Sequence, residues 1–178
     1  MATPLLESLP LVESTRRNHA LEHATLKVLS ERFPGLRMAG VSTPDGFFLI
    51  ADLPTEVVTD GVLQASARLR AGERDLAIHP NCGTNLATST LLAGSAALLV
   101  LRPGKGKSRP SLNNYFLAAA IALPIFLLSK PLGLEAQRTL TTDANLGETE
   151  VRLVVSQKSG NSFIHQIRTN ATGVSLNG

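Results

Sequence analysis

Leu91-Leu-Ala-Gly-Ser-Ala-Ala-Leu-Leu-Val-Leu101, Arg102-Pro-Gly-Lys-Gly-Lys-Ser-Arg109 and Tyr115-Phe-Leu-Ala-Ala-Ala-Ile-Ala-Leu-Pro-Ile-Phe-Leu-Leu128 decide how this chain folds. They lie in and between two runs of 19 residues without a charge, residues 83–101 and 111–129. At about 1.5 Å per residue each run makes a helix of about 28 Å, close to the roughly 30 Å of bilayer hydrocarbon. Two such spans joined by a short basic turn predict a transmembrane helical hairpin. Small residues on the first span (Ala87, Gly94, Ala97) and the second (Ala118, Ala119, Ala122) let two backbones approach closely. Pro124 would cost about 3 kcal/mol inside a soluble helix and is better tolerated in a membrane. Two buried helices in a soluble protein are the alternative, but 178 residues offer little other chain to wrap both.

Composition agrees with the membrane reading. The chain is 43% hydrophobic and 17% charged, against roughly 25% charged in soluble domains, with a mean hydropathy of +0.12. The formal charge is +3, but no acid occurs between Asp75 and Glu135, and that block holds Arg102, Lys105, Lys107, Arg109 and Lys130. Outside it the balance is slightly acidic, so the basicity is local. Nucleic-acid binding is not expected: the basic turn has no interleaved aromatics, the chain has no Trp, and its one Tyr lies in the second span. A single cysteine, Cys82, excludes an internal disulfide framework.

The flanks predict an α+β domain of two helices and a mixed sheet, interrupted by the hairpin. Residues 13–32 read as a helix capped by Ser14, with Leu21, Ala24 and Val28 on one stripe and Pro34-Gly35 as its stop. Residues 36–41 and 46–51, separated by Pro44-Asp45-Gly46, read as a β-hairpin. A second helix runs from Thr55 to Arg70, apolar at Val57, Val58, Leu63 and Leu69. A third strand is expected over residues 75–78, and a second hairpin over 150–156 and 162–168 around Lys158-Ser-Gly160. The division is then an N-terminal α+β part at 1–82, the hairpin at 83–129, and a C-terminal part at 130–178 that completes the domain.

Two clusters carry chemistry. Asn18-His-Ala-Leu-Glu-His23 sets His19 and His23 at i and i+4, on one helix face, where two imidazoles can grip one metal ion. Glu22, on the edge of that face, is placed to take a proton from an activated water, the service a hydrolytic zinc centre needs from a non-ligating carboxylate. His79-Pro-Asn-Cys82 sets an imidazole and a thiol three residues apart in a turn, both of them zinc ligands. Three of the four histidines and the only cysteine thus fall in two motifs with metal-ligand spacing, which leaves His165 outside.

The order His-x-x-Glu-His resembles the motif of inverzincin metallopeptidases over five residues. That family's downstream Glu ligand would fall in the acid-free block, where this chain has none. Over a longer stretch, Arg17-Asn-His-Ala-Leu-Glu-His-Ala-Thr25, Leu76-Ala-Ile-His-Pro-Asn-Cys-Gly-Thr-Asn85, the hydrophobic hairpin and Leu140-Thr-Thr-Asp-Ala-Asn-Leu-Gly147 resemble an uncharacterised bacterial membrane family, a domain of unknown function, across residues 15–150. That resemblance supplies no activity.

Two readings follow. One is a membrane-anchored zinc-dependent hydrolase, a peptidase or an enzyme of small molecules, with His19, His23 and one or both of His79 and Cys82 as ligands, an open position for water, and Glu22 as general base. The other is a non-catalytic subunit of a membrane complex, in which all four ligands close a structural His3Cys site. Membrane lipid is the expected partner, with a membrane protein or a second copy beside it. Residues 1–10 lack the basic start of a signal peptide. With the reduced thiol, this places the α+β domain in the cytoplasm at the bacterial inner membrane, with the basic turn outside.

Overall fold

The computed structural model describes residues 10–103, 109–160 and 162–170. Residues 1–9, and with them nearly all of the segment read for a signal peptide, lie outside the described residues, as do Lys105 and Lys107 of the basic turn. The fold is α+β and forms two compact units: Met1–His79 with Arg138–Gly178, and Pro80–Gln137.

In the first unit, α1 (Pro10–Arg32) carries Leu21, Ala24 and Val28 into the core as the stripe predicted. The helix begins at Pro10, whose fixed φ suits a first turn. Ser14 is therefore no cap: it lies inside the helix, buried, its hydroxyl donating to Leu11 O at 3.1 Å. Strands β1 (Ala39–Thr43) and β2 (Gly46–Ala51) form the first hairpin. Gly46 has φ +143°, and a Cβ there would come within 2.0 Å of Ile167 O, so the turn requires glycine. Helix α2 (Thr55–Arg70) follows. Its buried face is Val58, Gly61, Val62, Ala65 and Leu69, while Leu63, expected inside, faces out. Gly61 lets α1 approach, since a Cβ there would meet Leu29 Cδ2 at 2.6 Å.

The third strand does not form. Arg74–Ala77 is a 3-10 turn, in which Leu76 N donates to Glu73 O and Ile78 N to Asp75 O. Leu76 and Ala77 are both buried, a consecutive pair that a strand's alternation would have split between two faces. The sheet is consequently not mixed: β3 (Val151–Ser159) and β4 (Ser162–Thr169) complete four antiparallel strands in the order β1-β2-β4-β3. The second hairpin is longer than predicted, since β3 runs on through Lys158 and Ser159. Phe47, Leu49, Ala51 and Ile167 point from the sheet into a core shared with α1 and α2. Each such large side chain contributes about 1.5–3 kcal/mol by burial.

In the second unit, α3 (Gly83–Val100) and α4 (Leu112–Leu128) fill the predicted hairpin, and α5 (Lys130–Ala136), in the stretch expected to belong to the C-terminal part, follows them. On α3, Asn85, Ser89 and Ala93 are buried at every fourth residue, one face of a helix. Opposite them stand Ser129, Gly133 and Gln137, again four apart. Ser129 Oγ donates to Ser89 Oγ at 2.7 Å, and Gln137 Nε2 to Asn85 Oδ1 at 2.8 Å. A Cβ on Gly133 would sit 2.8 Å from Asn85 Cα, so the close approach of backbones depends on that glycine. Pro124 lies inside α4 without ending it. The break comes at Ser129, where the following segment turns by 49°, because Pro131 cannot donate to the carbonyl of Leu127 and clashes with it. Among the described residues α3 is the one helix that alone meets the length and composition of a membrane span, and α4 does so only together with the bent segment after it.

Candidate metal centre

Within the first unit, α1 presents His19 and His23 one turn apart, with ring centroids 4.2 Å from each other. A ligand nitrogen of one lies within 4.8 Å of a ligand nitrogen of the other, a separation that one ion can span. His23 Nδ1 lies 2.7 Å from Ala77 O and His19 Nδ1 2.9 Å from Thr141 O. A carbonyl oxygen only accepts, so each Nδ1 carries the proton, and in the neutral ring the lone pair is then on Nε2. Backbone carbonyls fixing tautomer and ring plane in this way are what metal-ligating histidines need. His79, just past the 3-10 turn, brings its ring centroid to 5.7 Å from that of His23. The three histidines singled out in the sequence therefore gather in one unit, and His165 stands elsewhere, on β4.

Other elements hold this group in place. The segment 139–147 is clamped to α1: Arg16 donates to Thr139 O at 3.1 Å and to Thr142 O at 3.4 Å, while Asp143 N donates to Arg16 O at 3.1 Å. Two Asx turns shape it, Asn145 N on Asp143 Oδ1 and Gly147 N on Asn145 Oδ1. Asn18, fully buried beside His19 in the chain, donates to Thr43 O and Pro44 O at 2.9 Å each and accepts from Thr169 at 2.7 Å. One amide thus ties α1 to the β1–β2 turn and to the end of β4. Ala77, Thr141 and Asn18 were not readable as site residues, since carbonyl partners leave no mark in residue type. The Asx-turn residues of 143–147 were the one available signal.

Glu22 is only 4% exposed. Ser42 Oγ donates to its Oε2, and its carboxylate occupies the space a side chain on Gly40 would fill. Cys82 belongs to the second unit, three residues beyond His79 in the chain. It caps α3, its Sγ accepting from Thr84 N at 3.4 Å.

An α+β unit with three histidines gathered on it, and a helical hairpin inserted between its two stretches of chain, describe a class of protein with candidate donors for a metal ion. Residues 14–154 match the domain of unknown function DUF6391, and the chain belongs to that family. An uncharacterized protein of Picosynechococcus sp. is 33% identical over 168 residues, covering 86% of this chain and 78% of its own length. No solved structure matches.

Proposed function

We propose that this chain is a membrane-anchored metal-dependent hydrolase, with a peptide bond as the candidate substrate linkage. Zinc would be held by His19 and His23 and, from the turn before α3, by one of His79 and Cys82, which leaves the fourth position for water. The observation that carries the reading is the pair of Nδ1–carbonyl bonds on His19 and His23, which fix both rings in the tautomer whose ligand nitrogen is Nε2. Mixed imidazole and thiolate donors suit zinc. Zinc, when bound, lowers the pKa of water to about 7. Glu22, oriented by Ser42, is the group that would take up the proton and return it to the leaving amine.

The anchor would be the second unit. Its α3 and α4 turn their large apolar side chains outward, and lipid is the surrounding that fits such surfaces. The expected topology keeps the first unit in the cytoplasm. Full-length protein should stay with membranes through carbonate extraction, and recovery as a detergent-free monomer would rule the anchor out.

A second reading, a closed His3Cys site in a non-catalytic subunit, is favoured by the burial of Glu22 and its bond to Ser42, which suit a structural carboxylate. One experiment separates the two. Detergent-purified protein should carry about one zinc per chain, as His3Cys stoichiometry requires. His19→Ala, His23→Ala and Cys82→Ala should lose it, and His165→Gln should keep it. Glu22→Gln should then leave the zinc bound and cut peptide hydrolysis by about 10²- to 10⁴-fold if the site is catalytic. It should weaken zinc affinity by about 10- to 100-fold and change no activity if the site is structural. Equal zinc in all four histidine and cysteine variants would overturn both readings.

A further inference from the structure

His165 has no part in the proposed centre, yet it is fully buried on β4, an inner strand. Its row across the core face of the sheet is Gly40, Leu49, His165 and Ser156. Among the described residues neither ring nitrogen has a hydrogen-bond partner. The carbonyls of Ala51 and Leu53, at the corner between β2 and α2, lie beside the ring without bonding geometry, and Phe163 packs at 6.1 Å between centroids.

The elements packed on this core offer the ring little compensation for a charge. From β2 it is faced by Leu49 and Ala51, and from β3 by Ser156, whose hydroxyl is shared with Thr55 at 2.6 Å. The buried face of α2 has no ionisable residue. That of α1 carries Glu22 and His23, and the Glu22 carboxylate lies over Gly40, with Leu49 between it and His165 in the row. Asp52, between the two corner carbonyls in the chain, is exposed. A second proton on this ring would be a buried charge without a partner.

We propose that His165 makes the first unit acid-sensitive: a proton on the ring drives it out of the core and opens the seam between β4 and the Ala51–Leu53 corner. Burial lowers its pKa from the ordinary 6.5, the two carbonyls opposing only in part. The neutral ring is retained in the folded state where the unfolded chain already binds a proton. Stability is therefore complete above pH about 6.5 and falls as the pH drops from there toward the folded-state value. The opening would reach α1, because Thr169, four residues further along β4, holds Asn18.

The test uses full-length protein in detergent with metal removed by chelator, so that loss of metal does not enter. Unfolding is followed from pH 7.5 to 4.5 for the wild type, His165→Gln and His165→Phe. The wild-type unfolding constant should rise relative to either variant by up to about tenfold per pH unit below 6.5, the limit for one proton. Parallel profiles would overturn the proposal. Should the variants not fold, wild-type protein with labelled histidines answers instead. One of the four rings should stay neutral well below pH 6.5, and exchange of amides 51–53 and 163–167 should speed up as it charges. Four ordinary titrations with β4 amides still protected would be equally fatal.

Discussion

The two units are built inside out with respect to each other. In the first, Leu21, Leu29, Phe47 and Leu49 are fully buried, and Glu22 is the one Asp, Glu, Lys or Arg side chain buried with them among the described residues. In the second, Leu91, Phe116 and Leu128 are 71%, 68% and 77% exposed, while the buried positions are small or polar: Asn85, Ser89, Ala93, Ala118, Ser129, Gly133 and Gln137. Water drives apolar chains inward in the first unit. Helices in lipid lack that drive and associate through small residues and hydrogen bonds, and the second interface is made of these same two kinds of contact. The contrast teaches that the same residue type has opposite consequences in the two units, and substitutions can break or sharpen it.

The largest effect is expected from Phe47→Ala, which empties the centre of the first unit and should cost about 3–5 kcal/mol in chemical denaturation followed by a probe in that unit. Phe116→Ala in α4 is its counterpart, and in detergent it should change stability by less than about 0.5 kcal/mol. A large cost there would mean that α4 is covered by protein and the inversion is false. Next comes Asn18→Ala, which leaves Thr43 O, Pro44 O and the Thr169 hydroxyl with a partner removed. About 2–4 kcal/mol should be lost, read as a lower thermal midpoint of the first unit. In the second unit Gly133→Ala should cost about 1–3 kcal/mol through the clash with Asn85, seen as faster proteolysis in the turn between α3 and α4. Smallest is Ser89→Ala, which removes one bond to Ser129 and should cost about 0.6 kcal/mol, the scale of a hydrogen bond between membrane helices.

Legibility in the sequence followed how local the cause was. The i, i+4 pair of His19 and His23, the Gly46 turn and the uncharged lengths of the hairpin are short-range patterns, and the helices and hairpins fell close to where they were expected. The strand expected over residues 75–78 failed because alternation cannot be judged over four residues, and there local N–H···O bonds closed a turn first. The break at Ser129 was legible in principle at Pro131, whereas Pro124, the proline inside the apolar run, is carried within the helix. The grouping of His79 with His23, by contrast, links positions 56 residues apart. Nothing in either motif specifies the other.

By itself, then, the sequence determined the candidate donors, their helix face, the turn chemistry and the inverted polarity of the hairpin, because each depends on neighbours within a few residues. Only the tertiary structure decided which nitrogen each histidine offers, through the carbonyls of Ala77 and Thr141, and only it placed Glu22 under Ser42, Asn18 across three elements and His165 in the core. Those facts depend on which backbone atoms arrive opposite a side chain. Arrival is set by how helices and strands pack, and packing brings together residues that the chain keeps far apart.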